Sequence, residues 1–177
     1  MIKRIVNTFN SARLDYMFTG ALAASYYGTP RTTMDVDVVV EVTKRNCLTR
    51  LVSALKMVGL NADRRKIDSA LRSNFRIVTF RDGKTPFTVD IILSRTKLMK
   101  KTGSILGLPT YYETPEGLIL AKLRMIKATI PRERALKDED DIKAILKFSK
   151  IHMNILKRRA RKDNTLPILE MVTAGKF

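Results

Sequence analysis

The sequence predicts an α/β (α+β) protein, with a mixed sheet, flanking helices and a helical C-terminal part. Strand and helix patterns alternate along the first half of the chain and helix patterns dominate the second half, an order typical of a mixed sheet covered by helices. The 177 residues are 45% hydrophobic, which is enough to form a substantial core. We expect an α/β core at residues 1–112 and a helical extension packed on it at 113–177, with one continuous domain as the alternative.

Apolar periodicity, glycine and proline predict the elements of the first half in order. These are an amphipathic helix over 2–14, a strand over 16–19, a helix over 21–27, a strand over 34–42, a helix capped by Thr43 and ending at Gly59, a polar basic stretch over 61–74, and strands over 75–80 and 87–93. The segment between the last two strands contains Asp82-Gly83, which is a hairpin signal.

The second half is predicted to be mainly helical. Residues 95–109 are basic and contain glycine, and we expect an irregular loop there. Thr114 and Pro115 are a helix cap and a proline at the first helical position, which predict a helix to about Ala128. After Pro131 a last helical block is expected from about Lys137, ending in a basic run at 157–162.

Net charge and rare residues restrict the function classes. The chain has 34 Lys and Arg against 17 Asp and Glu, a net charge of +17, so polyanions are its natural partners. Cys47 and His152 are the sole cysteine and histidine. These counts exclude an intrachain disulfide and a zinc site built from several Cys and His side chains.

Apolar runs in the sequence are short. None approaches the roughly 18 residues of a membrane span, and the first residues lack the apolar region of a secretory signal peptide. We therefore expect a cytoplasmic protein with no membrane partner.

Three aspartates occupy unusual positions on predicted strands. Asp35 and Asp37 are two residues apart, so both side chains project from one sheet face and repel each other unless a cation neutralises them. Asp90 lies in a run that is otherwise typical of a fully buried strand, so it needs a polar partner, a rim position or a metal. One or two Mg²⁺ ions would satisfy all three carboxylates.

A structural explanation of these acids stays open. Alternating acids occur on the solvated face of amphipathic strands, and Glu41 on the same predicted face favours that interpretation. Asp90 could instead form an ion pair with Arg76 or Arg81 on the preceding strand.

A glycine upstream favours the catalytic interpretation. Gly20 ends a strand and opens directly into a helix, where backbone N–H groups and the positive helix end can approach a phosphate closely. It lies 15 residues before Asp35, which is room for a short helix and a turn back to the next strand. The glycine-rich signatures of P-loop and Rossmann proteins are missing from the sequence.

The block from Phe18 to Asp37 resembles the nucleotidyltransferase superfamily, which has the DNA polymerase β-like fold. The matching residues are Phe18-Thr19-Gly20-Ala21 and Tyr27-Gly28-Thr29-Pro30-Arg31-Thr32-Thr33-Met34-Asp35-Val36-Asp37, with Asp90 as the third acid. The second string is similar to that of a small prokaryotic branch that includes AbiEii-type toxins. Lys122 and the string from Lys137 to Asp141 resemble a later motif of that branch, and the resemblance covers residues 16–146.

The resemblance implies an Mg²⁺-dependent enzyme that transfers a nucleoside monophosphate from an NTP to an acceptor hydroxyl. It makes Asp35 a bridging ligand of one or two Mg²⁺ ions, Asp37 a ligand of the triphosphate-bound metal, and Asp90 a ligand and activator on the acceptor side. It places the NTP phosphates against the following set of residues: Thr19, Gly20, Ala21, Arg31 and Lys122. For Arg31 and Lys122 a solvated surface role is the alternative. Asp138 is a minor site candidate, with stabilisation of its helix as the competing role.

One departure keeps a second function open. Ala21 stands where the family usually has Ser or Gly, so a phosphate-binding hydroxyl is missing unless Thr19 or Ser25 replaces it. The alternative function is a catalytically degenerate module that binds nucleotide or nucleic acid. A third option is a nucleic-acid-binding helical protein whose α/β half is only structural.

The basic surplus predicts the acceptor. Residues 42–112 contain 15 Lys and Arg against four acids, and residues 147–162 contain seven basic residues and no acid. Such a bias predicts attraction to phosphate backbones. RNA such as tRNA is the expected acceptor and a protein hydroxyl is the alternative, with a toxin–antitoxin role and an antitoxin partner implied by the resemblance.

Overall fold

The computed structural model describes residues 1–44 and 46–174. This part of the chain contains six strands, eight α-helices and one 3₁₀ turn. In chain order they are α1 Ile2–Ser11, β1 Tyr16–Phe18, α2 Gly20–Tyr27, β2 Asp35–Glu41, α3 Cys47–Val58, α4 Arg64–Arg72, β3 Ile77–Arg81, β4 Thr88–Ser94, β5 Lys100–Ile105, β6 Leu108–Glu113, α5 Pro115–Ala128, the 3₁₀ turn Arg132–Ala135, α6 Leu136–Phe148, α7 Met153–Lys162 and α8 Leu166–Ala174.

The chain divides into two compact units. The first contains Met1–Leu22 and Thr32–Glu113 and holds all the strands described above, and the second contains Ala23–Arg31 and the described residues from Thr114 onward. The second unit is helical, with α5 packed against α6, α7 and α8. A mixed sheet with helices and a helical C-terminal part is the predicted fold class, which the structure confirms.

The six strands of the first unit form one mixed sheet in the order β3-β4-β2-β1-β6-β5. β1 runs antiparallel to β2 and parallel to β6, and β2 runs parallel to β4. Phe18 at the end of β1 pairs with Val38 near the start of β2. The residues that follow β1 therefore lie beside the first residues of β2, at one edge of the sheet.

β2 and β4 each bury one face. Their buried side chains belong to one alternating set: Val36, Val38, Val40, Val89, Ile91 and Leu93. Asp90 lies on the opposite, partly exposed face, so the expectation that residues 87–93 are buried on both faces is wrong. The sequence of residues 87–93 is typical of a fully buried strand because Ile92, which lies on the open face beside Asp90, is apolar as well.

The predicted loop over 95–109 is also wrong. Most of it forms a hairpin in which β5 pairs antiparallel with β6. Leu106 and Gly107 make the turn with φ of 51° and 79°, and positive φ at both central residues is the geometry of a type I′ hairpin turn.

Two further differences concern helices of the first unit. Thr43 does not cap α3, because its hydroxyl donates to Glu41 Oε1 at 2.6 Å and the helix starts only at Cys47. The polar stretch over 61–74 contains α4, whose N-cap Asp63 accepts a hydrogen bond from the Arg65 backbone N–H at 2.8 Å.

The predicted hairpin of β3 and β4 is confirmed. In the second unit, the start of α5 is confirmed too, since Thr114 caps it and Pro115 is its first residue. α8 follows the basic run and was not expected from the sequence. Among the described residues, no helix has the length and hydropathy needed to cross a membrane.

Candidate active site

The open face of the sheet carries three cross-strand rows, one residue from each of β3, β4 and β2. The register gives the rows Arg81–Thr88–Asp35, Thr79–Asp90–Asp37 and Ile77–Ile92–Val39. Residues paired across neighbouring strands have their side chains side by side on one face. The structure thus brings the three predicted acids together in two adjacent rows, with an apolar row next to them.

Threonines hold two of the acids in place. Thr88 donates its hydroxyl hydrogen to Asp35 Oδ1, and Thr79 donates to Asp90 Oδ1 at 2.5 Å. Neither Arg76 nor Arg81 forms an ion pair with Asp90 in the described part of the chain, so the predicted alternative partners of Asp90 are not its partners. The threonine hydroxyl groups bring no positive charge to either carboxyl group.

Gly20 lies directly against Asp37. Its φ is +58°, and a Cβ added to it would lie 2.0 Å from Asp37 Oδ2 and 2.8 Å from Asp37 Cγ. The Thr19 backbone N–H also donates to the Asp37 carbonyl oxygen at 3.1 Å. Glycine is required here both by the left-handed backbone and by the close carboxylate, and the first turn of α2 therefore lies beside Asp37.

The neighbouring hydroxyl groups are engaged within the protein. Thr19 is buried and donates its hydroxyl hydrogen to Glu113 Oε2 at 2.5 Å. Ser25 donates its hydroxyl hydrogen to the Arg31 carbonyl oxygen at 3.4 Å and accepts a hydrogen bond from the Arg31 backbone N–H at 3.2 Å. Ala21 is buried. Neither hydroxyl expected to replace the one missing at Ala21 is therefore a free donor in this structure.

The remaining predicted phosphate contacts, Arg31 and Lys122, lie in the second unit in an ion-pair cluster. Arg31 donates from Nε and Nη2 to the two carboxylate oxygens of Asp141, both at 3.0 Å. Lys122 Nζ lies 2.7 Å from Asp141 Oδ2 and 2.8 Å from Asp138 Oδ1. Asp138 therefore has a lysine partner in addition to its position in the first turn of α6.

Opposing effects act on Asp141. Burial raises the pKa of its carboxyl group, but the hydrogen bonds and positive charges of Arg31 and Lys122 outweigh burial, so the pKa is lower than that of a free aspartate. The Asp141 side chain is only 7% exposed and the Lys122 side chain 6%. The cluster thus has a buried Lys122–Asp141 pair at its centre, flanked by the more exposed Arg31 and Asp138.

The donor set near Gly20 fits a hard divalent cation, because every candidate ligand is a carboxylate oxygen. Asp35 and Asp90 use Oδ1 for their threonine bonds, and Oδ2 of each is available to a cation. Within residues 1–44 and 46–174 no group of three or more Asp, Glu, His or Cys side chains is already arranged to hold a metal, so the three acids are candidate ligands by donor chemistry and strand register.

Sequence reasoning missed the partners of the predicted residues: Thr79, Thr88, Glu113 and Asp141. Each is distant in sequence from the residue it contacts, so strand register or helix packing was needed to find it. Asp141 carried one signal, because it ends the acidic string that resembles a later motif of the family.

Several solved structures have a fold similar to that of this chain. The solution structure of the antibiotic-resistance factor ANT(2'')-Ia has a TM-score of 0.67 and 14% identity, and the match covers 99% of this chain and 96% of that one. The crystal structure of ANT(2'')-Ia with adenylyl-2''-tobramycin has a TM-score of 0.67 and 13% identity, covering 92% and 96%. An antigenic nucleotidyltransferase-like protein from Paracoccidioides brasiliensis has a TM-score of 0.56 and 16% identity, covering 92% and 88%.

No protein-family model and no curated protein matches the chain. The structural matches extend over nearly the full length of the chain and include a nucleotidyltransferase-like protein by its own description. This chain has the nucleotidyltransferase fold.

Proposed function

We propose that this chain is an Mg²⁺-dependent nucleotidyltransferase that transfers a nucleoside monophosphate from an NTP to a hydroxyl group of RNA. The observation that carries the proposal is the sheet register, which pairs Asp37 with Asp90, two residues from Asp35 on the same face. The close approach of Gly20 to Asp37 supports it, because it puts a helix N-terminus beside the carboxylates.

Asp35, Asp37 and Asp90 would hold Mg²⁺ in this proposal. The ion would neutralise triphosphate charge and lower the barrier to attack on the α-phosphate. The N–H groups of the first turn of α2, which begin at Gly20, would bind the β- and γ-phosphates, since they and the helix dipole favour an anion there.

The chemical step forms one bond and breaks one. The acceptor oxygen bonds to the α-phosphorus, while the bond between that phosphorus and the α,β-bridging oxygen breaks and pyrophosphate leaves with the electron pair. The proton of the acceptor hydroxyl passes to a base, and Asp90, on the strand between β2 and β3, is the residue we assign to orient and deprotonate that hydroxyl.

The net charge favours an anionic acceptor. ANT(2'')-Ia was solved with an adenylylated aminoglycoside, and an aminoglycoside carries amino groups that are cationic at neutral pH. A chain of net charge +17 repels such a molecule and attracts RNA. A protein hydroxyl remains the alternative acceptor. The toxin–antitoxin role implied by the resemblance and the cytoplasmic location expected from the sequence belong to the same proposal.

The test is transfer of α-labelled NTP to total tRNA with Mg²⁺. Asp35→Asn and Asp37→Asn should each reduce transfer by about 10²–10³-fold, because each removes a carboxylate ligand of the Mg²⁺ that would stabilise the transition-state charge. Asp63→Asn is the matched control, since it makes the same carboxylate-to-amide change at an exposed helix cap where Asn is as good a cap as Asp. Full transfer by both site variants would refute the proposal.

The degenerate module is a second candidate function. Ala21 lacks a hydroxyl, and the hydroxyl groups of Thr19 and Ser25 are engaged with Glu113 and Arg31. This candidate predicts that Mg²⁺ and NTP raise the melting temperature while no nucleotide is transferred to RNA or protein. Mg²⁺-dependent labelling of any acceptor that the Asp35→Asn variant does not label would exclude it.

A further inference from the structure

We propose that the exposed side of α7 is a docking surface for RNA, formed by Lys157, Arg158, Arg161 and Lys162. We call these four residues the α7 basic face. All four are exposed. The inference deepens the proposed function and rests on it for the choice of RNA as the polyanion.

The α7 basic face is held on a rigid support. Leu156 and Ala160 are fully buried on the other side of the helix, and α7 packs against α5 and α8. Residues four apart on a helix lie above one another on one side, so Lys157 stacks with Arg161, and Arg158 with Lys162. With a rise of 1.5 Å per residue the four cations extend over about 7.5 Å, the scale of a few adjacent phosphates.

The positive charge of this face is not neutralised within the protein. In the part of the chain that the structure describes, none of the four side chains forms an ion pair with a carboxylate. The next acid in the sequence, Asp163, accepts a hydrogen bond from Arg124 Nε at 2.9 Å and is ion-paired with that arginine. Nothing local therefore competes with an external anion.

A role in helix stability explains only part of this pattern. Arg161 and Lys162 lie in the last turn, where cations favour the helix dipole. Lys157 and Arg158 lie before the last turn, and each is four residues from a like charge, an arrangement that destabilises a helix. An external polyanion would convert this repulsion into binding.

Nucleic acid fits the α7 basic face better than a membrane does. A helix that binds a membrane surface needs an apolar side that can enter the lipid. The apolar residues Leu156 and Ala160 are used by the protein core, and Ile155, at 42% exposed, is a single apolar side chain on the outer side of α7. One isoleucine does not make an apolar side that can enter lipid, and the four cations around it suit a phosphate backbone.

The experiment measures binding of a labelled RNA hairpin by fluorescence anisotropy at several salt concentrations, without NTP. The quadruple variant K157Q/R158Q/R161Q/K162Q should weaken binding at least about tenfold and reduce the salt slope by up to about 3, at roughly 0.7 per lost phosphate contact. The double variant K157Q/R158Q leaves the last turn of α7 intact and should reduce the salt slope by about half as much as the quadruple variant does.

A matched control removes the same charge elsewhere. Lys3, Lys56, Lys97 and Lys101 are exposed, lie in the first unit, and form no ion pair within the described chain. Their fourfold change to Gln should alter binding less than about threefold. An equal loss of RNA affinity in the two quadruple variants would mean that only net charge matters. Unchanged RNA binding by the α7 variant would mean that the α7 basic face does not bind RNA. Either result overturns the proposal.

Two further probes test the nature of the partner. A DNA hairpin of the same sequence and phosphatidylserine-containing vesicles should bind the wild-type protein more weakly than the RNA does. Tighter binding of either probe through the same four residues would overturn the assignment to RNA. Because no NTP is present, a chain that binds RNA through α7 but transfers no nucleotide would refute the proposed function and leave this inference standing.

Discussion

Replacement of Gly20 by Ala tests the geometry of the candidate site most directly. The new Cβ would lie 2.0 Å from Asp37 Oδ2, where real contacts essentially never fall below 3.0 Å, so the carboxylate must move by at least about 1 Å. The positive φ of +58° adds about 1–2 kcal/mol of backbone strain. A displacement of 1 Å in a reacting constellation can reduce the rate by about 10²-fold. We expect a modest loss of stability and a loss of nucleotide transfer of about that size or greater.

Gly107 supplies the matched control. Its φ of +79° gives similar strain on substitution by Ala, but no atom lies within 4 Å of the added Cβ. Both variants should therefore lose about 1–2 kcal/mol in urea unfolding, whereas only Gly20→Ala should lose transfer of α-labelled NTP and the rise in melting temperature caused by Mg²⁺ and NTP. If Gly20→Ala retained wild-type transfer and wild-type nucleotide stabilisation, our placement of the site at the Gly20–Asp37 contact would be refuted.

The buried ion cluster of the second unit gives two further predictions. Asp141→Asn should lower the unfolding free energy by about 3 kcal/mol and the melting temperature by roughly 6–12 °C. The value is at the low end for a broken buried ion pair because Lys122 still has its ion pair with Asp138. Asp140→Asn, the same change at an exposed neighbouring residue, should lower the unfolding free energy by less than about 0.5 kcal/mol. Equal melting temperatures of the two variants would contradict the role we assign to Asp141 in the ion-pair cluster. The lowered pKa of Asp141 means that its contribution is complete above the unfolded-state pKa of about 3.9 and is lost as the pH falls through the folded-state pKa. Urea unfolding between about pH 6 and about pH 2.5 should show a shallower acid-induced loss of stability in Asp141→Asn than in wild type, and parallel curves would contradict this.

The fold class was predictable because the strongest patterns belong to the central strands. β2 alternates Val with Asp, and its burial follows that alternation. β5 could not be found in this way, since an edge strand paired on one side needs few apolar residues, and Lys100-Lys101-Thr102-Gly103-Ser104 shows no alternation of apolar and polar residues. α4 was missed for a related reason, because Ile67 and Ala70 are its sole buried positions among basic residues.

The candidate site was predictable in its acids but not in their surroundings. Symmetric pairing of the predicted strands over 75–80 and 87–93 would place Thr79 opposite Thr88. The observed register places Thr79 opposite Asp90, since the loop between β3 and β4 begins later along the chain than the sequence indicates. A small error in register moves every cross-strand contact. The partners of Asp35 and Asp90 therefore depend on a detail that periodicity does not set.

The threonine partners of Asp35 and Asp90 are informative because basic residues are in excess in this chain. In a chain with twice as many cations as acids, aspartates tend to acquire an ion-pair partner, as the following residues do: Asp15, Asp68, Asp82, Asp138, Asp141 and Asp163.

Asp35 and Asp90 bond to hydroxyl groups, although Arg81 lies in the same cross-strand row as Asp35. A threonine fixes a carboxylate without neutralising it, whereas an arginine would occupy the position that a divalent cation needs. The neutral partners thus add no positive charge at the end of the strands where the N-terminus of α2 lies beside Asp37. The proposed nucleotidyl transfer would use both features, the carboxylates to hold Mg²⁺ and the helix end to bind phosphate.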